Sequence, residues 1–87
     1  MPVDEAIHKA AAQGDLSGVE ALLCEGADLN AEGASKRTPL HCAVIGGHFE
    51  CAKLLLIKHA NPCAVDACGR QPLHYAAITG NVNRFFR

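Results

Sequence analysis

The chain repeats itself every 33 residues without a gap. Set against residues 38–70, residues 5–37 share His8/His41, Ala10/Ala43, Gly14/Gly47, Leu22/Leu55, Leu23/Leu56, Ala27/Ala60, Ala31/Ala64, Ala34/Ala67 and Arg37/Arg70. Unrelated pairing at average composition yields about two such matches. Residues 38–54 set against 71–87 add Pro39/Pro72, Leu40/Leu73, His41/His74, Ala43/Ala76, Ile45/Ile78 and Gly47/Gly80. A period of this length means that one supersecondary unit is being stacked on copies of itself, each burying its apolar face on a neighbour. Two full units and a shortened third are expected at approximately 2–34, 35–67 and 68–87, within a single domain spanning 1–87.

Each unit reads as two short helices. Thr38 followed by Pro39 is a start signal, because the Thr oxygen accepts an orphan helix N–H and Pro has none to lose. The helix runs through Leu40, Ala43 and Val44 and is expected to stop at Gly47, which can take the left-handed conformation; Gly14 and Gly80 stand at the same place. A second helix is expected from about Phe49 to Lys58, burying Phe49, Ala52, Leu55 and Leu56, with Leu16, Val19, Leu22 and Leu23 as the matching stripe in the first unit. The turn formers in 26–30 and 59–63 mark extended connections. Ala10, Ala43 and Ala76 recur where close approach of neighbouring backbones needs a small side chain.

Composition narrows the function. A chain of 87 residues, 49% apolar and 20% charged, is one soluble domain with little material for a deep substrate pocket. Eight Lys and Arg against nine Asp and Glu leave a net charge of −1, so no whole-chain field draws nucleic acid or an anionic membrane. The longest bulky aliphatic run, Leu54 to Ile57, is far short of the roughly 20 residues of a membrane span, and Met1 to Glu5 contain no apolar signal-type segment. Five cysteines, Cys24, Cys42, Cys51, Cys63 and Cys68, are an odd number without regular close spacing, which points to reduced thiols in the cytoplasm or nucleus.

The residue spacings do not support site chemistry. A zinc set of His41, Cys42, His48 and Cys51 lacks a close Cys pair, and Cys42 with His74 has no orienting third group or oxyanion site. Cys63 and Cys68 could bridge only under oxidation. Gly46-Gly47 ends a helix and does not precede one, so it is no phosphate loop. No catalytic residue, metal or cofactor is expected.

Thr38-Pro39-Leu40-His41-Cys42-Ala43, Gln71-Pro72-Leu73-His74-Tyr75-Ala76-Ala77 and Gly26-Ala27-Asp28-Leu29-Asn30-Ala31 resemble the ankyrin repeat, with its 33-residue period and T-P-L-H-x-A pattern. The resemblance covers essentially the whole chain. It implies an all-α solenoid of about two and a half helix-turn-helix units joined by β-hairpin-like loops, non-enzymatic, binding another protein through the concave face of hairpin tips and first helices. It also implies that His8, His41 and His74 tie each first helix to a neighbouring loop.

The sequence departs from the pattern in three places. Glu5-Ala6-Ile7-His8 replaces the start motif, as in an N-terminal cap; Ser35-Lys36 replaces Asp-Gly at a hairpin tip, which is expected to loosen that turn, whereas Cys68-Gly69 keeps the Gly. In the last unit Val82 and Phe85 fall on the buried stripe, but Phe86 falls where Glu20 and Lys53 face solvent, and Arg87 where Ala21 and Leu54 stand. Either the chain is a piece of a longer one or the Phe pair is covered.

The expected partner surface is the concave strip Arg37, Ile45, Arg70, Tyr75 and Ile78, with Lys36 adding to a basic feature at the tips. Stacking places 37 beside 70 and 45 beside 78, one period apart. The alternative is a structural or regulatory segment that docks or self-associates through its C-terminal end at Phe85 and Phe86. From the resemblance, Asn30 is also a candidate for asparaginyl hydroxylation, since Leu22, Asp28 and Asn30 match the pattern on which some ankyrin repeats are modified.

Overall fold

The structure, a computed structural model, describes residues 3–78, and side chains from Ala6 onward. Gly80, Val82, Phe85, Phe86 and Arg87 lie outside the described residues. Five α-helices are described, α1 (Val3–Gln13), α2 (Leu16–Cys24), α3 (Pro39–Ile45), α4 (Phe49–Ile57) and α5 (Pro72–Ile78), together with a single 3-10 turn at Ala34–Lys36. The period carries into the fold, since α4 is α2 displaced by 33 positions and α5 is α3 displaced by 33, while α1 is longer at both ends than its counterpart α3.

Local chemistry sets the helix bounds. Thr38 caps α3 from extended backbone at φ −87°, and Pro39 follows it. The His41 imidazole completes the cap, with its Nδ1 accepting the Thr38 N–H at 3.1 Å. Gln71 N–H donates to His74 Nδ1 at 2.9 Å at the start of α5. The first helices end at glycines in the left-handed region, Gly14 at φ 71° and Gly47 at φ 76°. Asp15 then starts α2 by accepting the Gly18 N–H at 3.0 Å.

The helices form two layers. One is α1, α3 and α5 side by side; the other is α2 beside α4, with α1 packed on α2 and α3 on α4. The core lies between them: Ile7, Val19, Ala43, Ala52, Leu55 and Ala76 are fully buried. Ala43 and Ala76 sit where first helices meet, as a one-methyl side chain allows. Burying Leu55 contributes about 2 kcal/mol, which a helix of this length needs because it is marginal alone in water.

Two expectations about burial change. Leu56 is 38% exposed; Cys51, Ala52 and Leu55 fill the inner face of α4, and Leu56 lies one residue beyond it. On α2, Leu16 is likewise 36% exposed while Val19 is buried. Among the described residues there is no β-strand, so the hairpin-like loops are short turned fingers. The finger at Ser35-Lys36 closes all the same, with both residues in the left-handed region at φ 56° and 59°.

Candidate interaction surface

Two fingers project ahead of α3 and α5, one at Gly33 to Arg37 and one at Asp66 to Arg70. In the first, Gly33 N–H donates to the Arg37 carbonyl at 2.8 Å and Lys36 N–H to that of Gly33 at 3.1 Å. In the second, Asp66 N–H donates to the Arg70 carbonyl at 3.0 Å and Gly69 N–H to that of Asp66 at 2.9 Å. Ala67 N–H reaches across to the Ser35 carbonyl at 2.8 Å, fixing the fingers side by side. The shared register of Arg37 and Arg70 is thereby built into the backbone.

Asp66 organises the second finger. It is buried, and its Oδ1 accepts the N–H groups of Cys68 at 2.9 Å and Arg70 at 3.0 Å. Its Oδ2 accepts the Tyr75 hydroxyl. The Tyr75 hydrogen bond, helped by the Arg70 and Cys68 N–H groups and by His41, holds the carboxyl down at about 2. Burial opposes that shift and is outweighed.

Tyr75 joins the fingers to the helix layer. Its ring carries the Arg37 guanidinium at 5.7 Å from the centroid and the Arg70 guanidinium at the same distance, inside the range of cation–π attraction. The His41 ring meets it edge-on at 6.0 Å and 78°. His41 Nε2–H donates to the Arg70 carbonyl at 2.8 Å, so one histidine caps its helix and holds the next finger. His8 does the corresponding work in the first unit but at a different acceptor, the Ala31 carbonyl at 2.7 Å. Both match the tethering role that the resemblance implied.

The expected strip residues are placed as follows. Ile45 is 39% exposed, Ile78 is 64% exposed and Arg70 is exposed. The Arg37 side chain is two-fifths exposed, with its Nε 3.9 Å from Asp66 Oδ2 and lacking a hydrogen-bond partner among the described residues. The Tyr75 hydroxyl beside it raises the Arg37 guanidinium above its ordinary value. Tyr75 itself is only 8% exposed and supports the arginines from beneath. Asp66 was not singled out from the sequence, although an Asp that begins a turn with Gly three residues later is a recognisable Asx-turn signal.

The other candidates resolve locally. Asn30 is exposed, with its Oδ1 accepting the Asn61 N–H at 2.7 Å and its own N–H donating to Asp28 Oδ1 at 2.9 Å, so it bridges the two connecting loops. Burial pushes the Cys42 and Cys51 thiols up, away from the thiolate that a nucleophile requires. Among the described residues no cluster of His, Cys, Asp and Glu is arranged to hold a metal ion. Compared with known families, residues 7–85 match a family model described as ankyrin repeats in three copies.

Proposed function

The chain belongs to the ankyrin-repeat family, and from that premise we propose that it binds another protein through the concave strip of Arg37, Ile45, Arg70 and Ile78, with Tyr75 as the support beneath. Ankyrin repeats are generally protein–protein interaction modules and typically non-enzymatic. No described helix is long and apolar enough to cross a membrane. The observation that carries the reading is the pair of guanidinium groups held at 5.7 Å over one buried tyrosine ring by two cross-linked fingers. Recognition favours groups whose geometry is set before the partner arrives, because less ordering is lost on binding. Arginine beside exposed aliphatic side chains also suits an interface anchor better than do Glu20, Glu50 and Lys53 on the second helices. A reducing compartment, cytoplasm or nucleus, belongs to the same proposal and is supported by five unpaired cysteines.

The test uses a partner obtained by affinity capture and then purified. Arg70→Ala/Ile78→Ala should weaken binding by roughly 1–3 kcal/mol, and Glu20→Ala/Lys53→Ala by under about 0.5. Phe85→Ser/Phe86→Ser should leave it unchanged. If only the Phe variant loses the partner, or changes the chain's size in solution, association runs through the C-terminal end and the strip is not the site.

A further inference from the structure

We infer that the partner presents carboxylate side chains to Arg37 and Arg70, as an acidic peptide segment with apolar residues beside its acids. The inference deepens the strip reading and rests on it. Asp66, the carboxylate in contact with Arg37, already accepts from two backbone N–H groups and the Tyr75 hydroxyl. Its approach to the Arg37 Nε, 3.9 Å, is outside hydrogen-bond range. The Arg70 guanidinium has no hydrogen-bond or ion-pair partner among the described residues beyond the Tyr75 ring. Two cations are thus gathered on one ring: Arg37 keeps only a long ion pair to an anion whose oxygens already accept three hydrogen bonds, and Arg70 faces no anion among the described residues.

A guanidinium fork matches a carboxylate with two parallel N–H···O contacts, and stacking on an aromatic face fixes its plane before the carboxylate arrives. Lys36, exposed at the tip of the first finger, adds a further positive charge to that finger. Ile45 and Ile78 lie at the far ends of α3 and α5, about 10 Å along each helix from the fingers at 1.5 Å per residue. That spacing suits an extended segment whose acids meet the fingers and whose neighbouring apolar side chains lie over the helices.

The test uses the full chain and a short peptide with blocked termini containing Glu-Leu-Glu, set beside the same peptide containing Gln-Leu-Gln. Binding is read by the fluorescence anisotropy of the labelled peptide and by amide shifts of the isotope-labelled chain. The acidic peptide should bind about tenfold or more tightly than the amide peptide, weaken as salt is raised, and move the signals of Arg37, Arg70 and Ala67. Arg70→Gln should remove most of the difference between the peptides, and Arg70→Lys should retain part of it through charge without the fork. Circular dichroism establishes that each variant is folded, and Arg70→Lys alone carries the comparison if Arg70→Gln is not.

Equal affinity of the two peptides for the strip would overturn the carboxylate inference while leaving the strip as the binding site. Acid-dependent binding that maps to the second helices would overturn both. Failure of the acidic peptide to bind at all would also overturn the inference, since the strip reading is tested separately on the captured partner.

Discussion

The two fingers occupy equivalent places in the repeat and are closed by different means. In the second, the Asp66 side chain gathers the N–H groups of Cys68 and Arg70 and the Tyr75 hydroxyl, and Gly69 takes the left-handed bend at φ 75°. In the first, Gly33 stands where Asp66 would be and has no side chain to gather N–H groups, and Ser35 and Lys36 hold the bend with their own backbones at φ 56° and 59°. The His8 ring fills the space instead: a Cβ on Gly33 would come within 3.1 Å of it. A shared period therefore does not mean shared energetics. The second finger is held by side-chain hydrogen bonds, whereas the first relies on backbone bonds and on its link to the second through Ala67 and Ser35.

The largest effect should come from removing the side chain that separates the two. Asp66→Ala strips Tyr75 of its acceptor and loosens the base of Arg70, and the melting temperature should fall on the order of 15 °C. The reciprocal graft, Gly33→Asp, should not stabilise the first finger, because the His8 ring blocks the new side chain. A rise in melting temperature for Gly33→Asp would show that the fingers are interchangeable.

The glycines that end α1 and α3 extend the comparison to the helix layer. Both are left-handed, but a Cβ on Gly14 would lie 2.5 Å from His48 Nδ1, whereas one on Gly47 would meet nothing within 4 Å. Gly14→Ala should cost about 2 kcal/mol, from backbone strain plus crowding, and Gly47→Ala about 1 from strain alone. Denaturant midpoints of the two variants measure the difference, and equal midpoints would mean that His48 moves aside without cost.

The finger bend itself should respond in opposite directions. Lys36→Gly relieves a left-handed lysine and should stabilise by about 0.5–1 kcal/mol, while Gly69→Ala should destabilise by a similar amount. His59 at φ 75° stands where the first unit has Gly26 at φ 97°, so His59→Gly should also stabilise.

The smallest effect is visible only in acid. Asp66 titrates at about 2 in the fold, against about 3.9 for an ordinary Asp in the unfolded chain. The unfolded state therefore binds the proton first as pH falls. The stabilisation is complete above about pH 4 and is lost as pH drops toward 2. Asp66→Asn should flatten that part of the stability profile, and an unchanged slope would mean that Asp66 is not held as an anion.

Much of this was legible in the sequence because it depends on local rules. Thr38-Pro39 and His41 mark a helix start by hydrogen-bonding chemistry, Gly14 and Gly47 mark helix ends by φ, and the 33-residue offset sets α2 against α4 and α3 against α5. The register of the two fingers was legible, since 37 and 70, like 45 and 78, stand one period apart. The depth of Tyr75 was not. Tyr75 read as a surface anchor because its neighbours in sequence face the groove, yet its ring is covered by two arginines that lie 38 and 5 residues away along the chain. Leu56 read as core because the apolar run Leu54 to Ile57 has no polar break to show which face turns inward. Asp66 gave a turn signal, but its bond to Tyr75 exists only once the second finger folds over α5.

A protein partner seated on the proposed strip touches both fingers at once. The most direct measurement is an amide-shift map of the isotope-labelled chain titrated with the purified partner. The account predicts that the shifts concentrate at Arg37, Ile45, Ala67, Arg70 and Ile78, leaving Glu20, Glu50 and Lys53 in place. Shifts confined to the second helices, or to residues beyond Ile78 with the fingers unmoved, would contradict it.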